Sequence, residues 1–294
     1  MSTLLSSLVG HRETLDQLER NFHQNNLSHA LLFTGIEGIG KKRVALELGA
    51  LLLGAKGRLS HPDLHLYTPE TQTHSYTIDQ IREIHKIAEC SPYEAPYHLF
   101  ILDEAEGLTQ IASNAFLKLL EEPPDGVYFI LVTSKPYKLM TTVLSRLQKI
   151  AFKPLSHEEF LSLLKQEGGL DLGPFGFMAE GSLGRARQLA PYIEALGGLM
   201  KLLGFAYLSE IHAYQQLFNH WEENKEFDFI EFFPFFEILL SDWIAGSQGK
   251  LPWISAAATP SLITLNKELK LLSEAYRAHI KLSVALNHFF IAIS

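Results

Sequence analysis

A chain of 294 residues, 47% hydrophobic and 20% charged, is long enough for one large domain or two to three smaller ones, each with its own core. Twenty-five Lys and Arg against 33 Asp and Glu give a net charge of −8, which argues against a nonspecific wrap around a nucleic-acid duplex as the chain's own main work. The single cysteine, Cys90, excludes an internal disulfide framework and a multi-cysteine zinc site, and no apolar run reaches the ~18 residues of a membrane span.

The N-terminus lacks a basic segment followed by a long apolar core, so the expectation is a cytoplasmic protein with no membrane contact, and Cys90 is expected to be a small buried residue. From Arg12 to Phe22, Leu15 and Leu18 recur at helical spacing. The segment "ALLFTG" then reads as strand running into glycine loop, and Val44, Leu46, Leu48, Leu51 and Leu52 carry a helix that should end near Gly54 or Gly57. "DLHLY" predicts a strand. Thr77 predicts an N-cap for a helix with Ile78, Ile81, Ile84 and Ile87 on one face. Leu99 to Leu102 predicts a strand directly before two carboxylates, and "QIASNAFLKLLEEPP" a helix stopped by Pro123 and Pro124, whose rings donate no amide hydrogen bond. "VYFILVTS" and "KIAFKPL" complete a strand-helix alternation of continuous apolar runs. That pattern predicts an α/β core with a parallel sheet covered on both faces, over residues 1–155. Residues 156–190 read as short helices broken by glycines. Residues 191–294 read as helical, with breaks near "FFPFFE" and "AGSQGKLPW".

In "TGIEGIGKKR", Gly35, Gly40 and Lys41, with Gly38 between them, meet the first seven positions of the phosphate loop G-x-x-x-x-G-K-[ST]. Such a turn between strand and helix aims backbone N–H groups at a polyphosphate, and Lys41 would reach its outer phosphates. The eighth position, which ordinarily gives a hydroxyl to magnesium, holds Lys42. An ammonium ~4 Å from a divalent ion repels it by roughly 8 kcal/mol at an effective dielectric near 20. Even a quarter of that, with the side chain swung into solvent, weakens metal binding by about 30-fold. Asp103 and Glu104, at the end of a buried strand, take the positions of a magnesium-holding Asp and a water-orienting Glu, or they merely begin a solvent loop.

These stretches, with "HPDLHLY", "SNAFLKLLEEPP" and "VLSRLQKIAF" in that order, resemble the clamp-loader subunits of bacterial DNA polymerase III, members of the AAA+ class. The resemblance is clear over roughly residues 5 to 190 and weak beyond. It implies an AAA+ core at 1–155, a helical lid at 156–190 and an oligomerising helical collar at 191–294, in a ring of five subunits around primed DNA. It also implies that Arg146, after Ser145, supplies an arginine finger to ATP on a neighbouring subunit; on residues alone Arg146 reads as a surface or salt-bridging arginine. The third residue of that motif is usually cysteine. Here it is Leu147, a change that touches packing more than charge.

Three departures point to the delta prime branch: Lys42, a short cysteine-free segment "LLLGAKGRLSHPD" where relatives have a zinc module, and Gly184 where motor subunits place a sensor arginine. Arg185 comes one position late, a turn of about 100 degrees on a helix. The resemblance therefore implies a stator with Asp103 and Glu104 vestigial, at most weak ATP or ADP binding and no zinc. Its partners would be the gamma/tau motor and delta subunits, with sliding clamp and primed DNA met through the assembly. The alternative is a catalytically active gamma/tau-like ATPase, and a phosphate-loop kinase leaves the serine-arginine motif without a purpose. Thr133 and Ser134 stand where the family has its polar sensor for the γ-phosphate. The aromatic stretch "FDFIEFFPFFEILL" is interleaved with Asp228, Glu231 and Glu237, so it reads as helix packing rather than base stacking. His61, His65, His279 and His288 show no ligand spacing and read as structural or exposed.

Overall fold

In the computed structural model, residues 10–24, 26–55, 61–166, 169–204, 227–245, 249–251, 262–278, 284–286 and 288–289 are described. Gly57 and most of the "AGSQGKLPW" break lie outside these residues. So do the middle of the cysteine-free segment and His279.

Five strands, β1 (Ala30–Thr34), β2 (Leu64–Tyr67), β3 (His98–Leu102), β4 (Val127–Thr133) and β5 (Gln148–Ala151), form one parallel sheet in the order β2-β3-β4-β1-β5. β1 and β3 are buried at every position, whereas the edge strand β5 buries only Ile150. Alternation along the buried strands feeds two cores. Leu32, Phe100, Leu102, Phe129 and Leu131 pack on one face with Ile81, Ile84 and Phe116. Leu31, Phe33, Leu99, Ile101, Ile130 and Val132 pack on the other with Leu15, Leu18, Val44 and Leu48.

The flanking helices are α1 (Arg12–His23), α2 (Lys41–Leu52), α3 (Ile78–Ala88), α4 (Gln110–Glu121) and the single turn α5 (Thr141–Leu144). α3 opens with a full capping box, in which Thr77 Oγ1 accepts from Gln80 N while Gln80 Oε1 accepts from Thr77 N at 3.0 Å. α4 is capped by Thr109 and stops before Pro123, as the two prolines require. Cys90 corrects an expectation: it is exposed, its Sγ donating to Lys86 O at 3.2 Å. It follows the last turn of α3 two residues after buried Ala88, a rotation of ~200 degrees away from the packed stripe.

Beside the sheet, buried Asp63 accepts from the backbone N–H groups of Tyr93, Glu94 and Ala95 at 2.6 to 2.8 Å. Burial pushes its carboxyl up, but these three bonds and nearby His98 outweigh that and hold it below the usual value. His65 Nε2 and His98 Nδ1 are 3.3 Å apart, and His61 and His98 flank Asp63. His98 Nε2 lies 3.2 Å from Cys90 O and His61 Nε2 3.8 Å from Glu94 Oε2, so these two histidines brace the loop that joins α3 to β3. His288 is exposed.

The chain divides into two compact units. The first comprises residues 1–167 with 181–184, and includes the sheet and α6 (His157–Gln166); the second comprises 168–180 and 185–294. α7 (Leu183–Leu189) begins in the first and continues into the second. Among its described residues the second unit is helical, with α8 (Ile193–Gly204), α9 (Phe229–Ala245) and α10 (Leu262–Arg277). The break expected near "FFPFFE" does not occur: α9 runs through Pro234. The proline lies on an exposed face, and the carbonyl it deprives of a partner is that of exposed Ile230 in the first turn, where water can bond it. Phe229, Phe232, Phe235 and Phe236 are buried on the packed face, which makes the aromatic run core material.

Candidate nucleotide site and serine-arginine turn

The phosphate loop is built where β1 ends and α2 begins. Gly35, Gly38 and Gly40 all have positive φ, and Gly40, the residue before α2, has φ 96° and ψ 10°, a conformation that a β-carbon would strain. The loop therefore has the glycines its turns need. Lys41 is 6% exposed, and its Nζ donates to Gly35 O at 2.9 Å and Ile36 O at 2.7 Å. Burial lowers its pKa against the opposing charges of Glu106, Asp103 and Glu37.

The Lys42 side chain, though 43% exposed, is tied to a carboxylate. Its Nζ sits 3.0 Å from Asp103 Oδ2, at the end of β3. Asp103 is fixed there by its own N–H to Tyr67 O at 3.0 Å, and the hydroxyl of fully buried Tyr76 lies between the carbonyls of Tyr67 and Asp103. Burial raises the Tyr76 pKa, so it remains a neutral donor. Glu104 follows in the left-handed region (φ 47°, ψ 48°) with its side chain exposed.

That left-handed residue starts a 3-10 turn, Ala105–Gly107, which turns Glu106 back toward the end of β4. There Thr133 Oγ1 donates to Glu106 Oε2 at 2.6 Å and Ser134 Oγ donates to Oε1 at 3.1 Å. Burial pushes the Glu106 carboxyl up, but the two hydroxyls, a backbone N–H and the charge of Lys135 outweigh it, and it lies below its ordinary value. The two hydroxyls read from sequence as a phosphate sensor thus face a carboxylate that sequence reasoning missed. The available signal was a third acid three residues after Asp103, just ahead of Gly107 and the Thr109 cap.

The other side of the loop is closed by residues 181–184. Ser182 Oγ donates to Glu37 O at 2.7 Å, and Gly184 N donates to Gly38 O at 3.0 Å. A β-carbon at Gly184 would stand 2.6 Å from Gly38 Cα, a backbone atom that cannot swing aside. At this backbone, position 184 has no room for an arginine.

As arranged, these residues do not fit a magnesium-nucleotide. Position 42 has no hydroxyl to coordinate the ion, the Asp103 oxygen that would face it holds an ammonium, and the Thr133 and Ser134 hydroxyls are spent on Glu106. Lys41, Lys42, Asp103, Thr133 and Ser134 converge at one end of the sheet.

Arg146 lies elsewhere on the same unit, in the turn between α5 and β5. Its Nη1 donates to Thr142 O at 2.7 Å and to Ser145 Oγ at 3.1 Å, and Nη2 pairs with Glu121 at the end of α4. Its side chain is 34% exposed and that of Glu121 48%. Leu147, in place of the family's usual cysteine, is buried in the core beside Val143.

A glycine loop after β1, an acidic end on β3, a sheet in the order β2-β3-β4-β1-β5 and a serine-arginine turn before β5 form one constellation. The sequence profile described as "DNA polymerase III, delta subunit" matches residues 10–156, half of the chain. The chain belongs to the DNA polymerase III delta subunit family. It is thereby an AAA+ clamp-loader family protein, and its sheet with flanking helices is an AAA+ α/β core. This family member is 32% identical over 153 residues to the DNA polymerase III subunit delta' of Bacillus subtilis (strain 168), covering 47% of this chain and 46% of that one. It is 29% identical over 183 residues to a gamma/tau subunit of Mycobacterium bovis, covering 55% and 32%. It is 30% identical over 194 residues to a replication factor C small subunit of Methanococcus maripaludis, covering 62% and 59%. The chain thus spans about half the length of the delta' relative and less of the gamma/tau one. A solved DNA polymerase III gamma subunit-related protein of Thermotoga maritima has the same fold, with a TM-score of 0.54 and 23% identity over 94% of this chain and 98% of that one. Among the described residues no helix is long and apolar enough to cross a membrane.

Proposed function

We propose that this protein is a delta-prime-like stator of a bacterial clamp loader, a cytoplasmic subunit that holds its neighbours in place and lends Arg146 to an adjacent ATPase site. The observation that carries the reading is the Lys42 to Asp103 ion pair at 3.0 Å, an ammonium where a hydrolysing subunit needs a metal ion. Arg146 supports it from the other side. A permanently charged, planar fork suits phosphate oxygens, and its present partners are backbone, hydroxyl and a half-exposed carboxylate that it can exchange at little cost. Residues 156–190 act as the lid and 191–294 as the collar that joins gamma/tau and delta subunits, while sliding clamp and primed DNA are met through the assembly. Asp103 and Glu104 are then vestigial, and no zinc is required.

A second reading, an active gamma/tau-like ATPase, is favoured by one observation: Lys41 and Asp103 stand at the loop and strand end that a working site uses. Two measurements separate the readings. In the first, the isolated chain is titrated with a fluorescent ATP analogue with and without magnesium; micromolar magnesium-dependent binding with turnover would establish the ATPase. In the second, Arg146→Ala is assembled with gamma/tau and delta subunits. Native mass spectrometry should show an unchanged complex, while turnover at the site it serves falls by on the order of 10³-fold. Unchanged turnover would remove the finger role.

A further inference from the structure

We infer that Lys42 and Glu106 are built-in counter-ions, one seated against Asp103 and one against the hydroxyls of Thr133 and Ser134, and that these two side chains keep the phosphate loop closed to nucleotide. The inference rests on the stator reading and names what enforces it.

Glu106 is the decisive group because of hydrogen-bond arithmetic. Each hydroxyl carries a single proton. Thr133 and Ser134 have both given theirs to Glu106, so neither can donate to a phosphate oxygen without first breaking a charge-assisted bond. Glu106 is also no loose surface chain. The left-handed Glu104 and the 3-10 turn aim it; Gly107 N donates to Glu104 O at 2.8 Å, and Gly107 O accepts from Tyr76 N at 2.9 Å. Thr133 Oγ1 meanwhile accepts from Lys135 N at 3.0 Å, which fixes the sensor hydroxyl as well.

Lys42 answers for the other half. Its ammonium satisfies Asp103 with a single tethered charge, so the carboxylate needs no ion from solution. The loop then contains its own charge balance: Lys41, Lys42 and Lys135 face Asp103, Glu106 and Glu37. A triphosphate arriving there meets no net positive charge, and it would have to displace a carboxylate as well as bind.

The two side chains make separable predictions, because one governs anion binding and the other metal dependence. The purified full chain is titrated with a fluorescent ATP analogue, once in chelator and once in magnesium, for the wild type, Glu106→Gln, Lys42→Thr and the double variant, with thermal melts as the check on folding. Glu106→Gln keeps the size of the side chain and should tighten chelator-phase binding by about 10-fold or more, the worth of one charge-assisted hydrogen bond. Lys42→Thr, changed at a side chain 43% exposed and so tolerated by the fold, should make even weak binding rise with magnesium. The double variant should show both effects. Folded variants that bind no better than a weakly binding wild type, in either buffer, would overturn the inference and leave the stator reading standing. Micromolar magnesium-dependent binding and turnover by the wild type would defeat the stator reading itself.

Discussion

The phosphate-loop end of β3 and the serine-arginine turn before β5 both hold basic side chains and carboxylates, but different groups satisfy them. At the loop, Lys41 is 6% exposed and bonded to two carbonyls of its own turn, and Glu106 is held by two hydroxyls, one of them fully buried. At the turn, Arg146 and Glu121 meet at the surface. A partner exchange at the first place would strand desolvated groups, at about 1–3 kcal/mol for each one left unsatisfied. At the second, the pair being surrendered is worth ~0–1 kcal/mol. Charges satisfied by buried groups serve the fold, while a pair at the surface can be exchanged at little cost.

The comparison can be broken first at the turn. Arg146→Lys keeps the charge but gives up the planar fork, so turnover of the reconstituted loader at the served site should fall by roughly 10- to 100-fold, the loss of one charged hydrogen bond, without loss of assembly. Turnover equal to wild type would show that charge alone suffices. At the loop, Thr133→Val removes the donor to Glu106 and the acceptor for Lys135 N, and should cost about 1.5–3 kcal/mol in chemical denaturation. A near-zero cost would mean that Glu106 is as free as Glu121. Gly184→Ala pushes a β-carbon to 2.6 Å from Gly38 Cα and should cost roughly 1–3 kcal/mol, read as a lowered melting temperature.

A pH series sharpens the contrast. The Glu106 carboxyl lies below its ordinary value of 4.5 in the folded chain, so its contribution is complete above pH 4.5 and is lost as pH falls through the lower folded value. Asp63 behaves in the same way below 3.8. The wild type should therefore lose melting temperature more steeply than Glu106→Gln below about pH 4.5. The smallest effect belongs to Glu121→Ala, within about 0.5 kcal/mol of wild type, because it removes only a half-exposed partner.

Much of the fold was legible from local pattern. "ALLFT", "HLFIL" and "VYFILVT" are continuous apolar runs because both faces of a parallel sheet are covered, and Thr77 and the Pro123-Pro124 pair mark helix ends by hydrogen-bond logic that needs no tertiary information. Pro234 was misread for a related reason. Its cost depends on whether the orphaned Ile230 carbonyl faces water, which only the packed helix decides. Cys90 likewise followed its position past the end of α3 rather than its residue type.

In the site, sequence determined the chemistry and the spacing: a glycine loop, a lysine in place of a hydroxyl, an acidic strand end and an arginine after a serine. Which groups pair was decided by tertiary structure, because Lys42 and Asp103 are 61 residues apart and Glu106 and Thr133 are 27 apart. Spacing along a chain fixes which face of one element a residue occupies, whereas a partner across the sheet is set by strand order and by the left-handed turn at Glu104. The lysine could be read as a missing ligand from its position alone; that its ammonium would take the place beside Asp103 required the end of β3 to be brought against the start of α2.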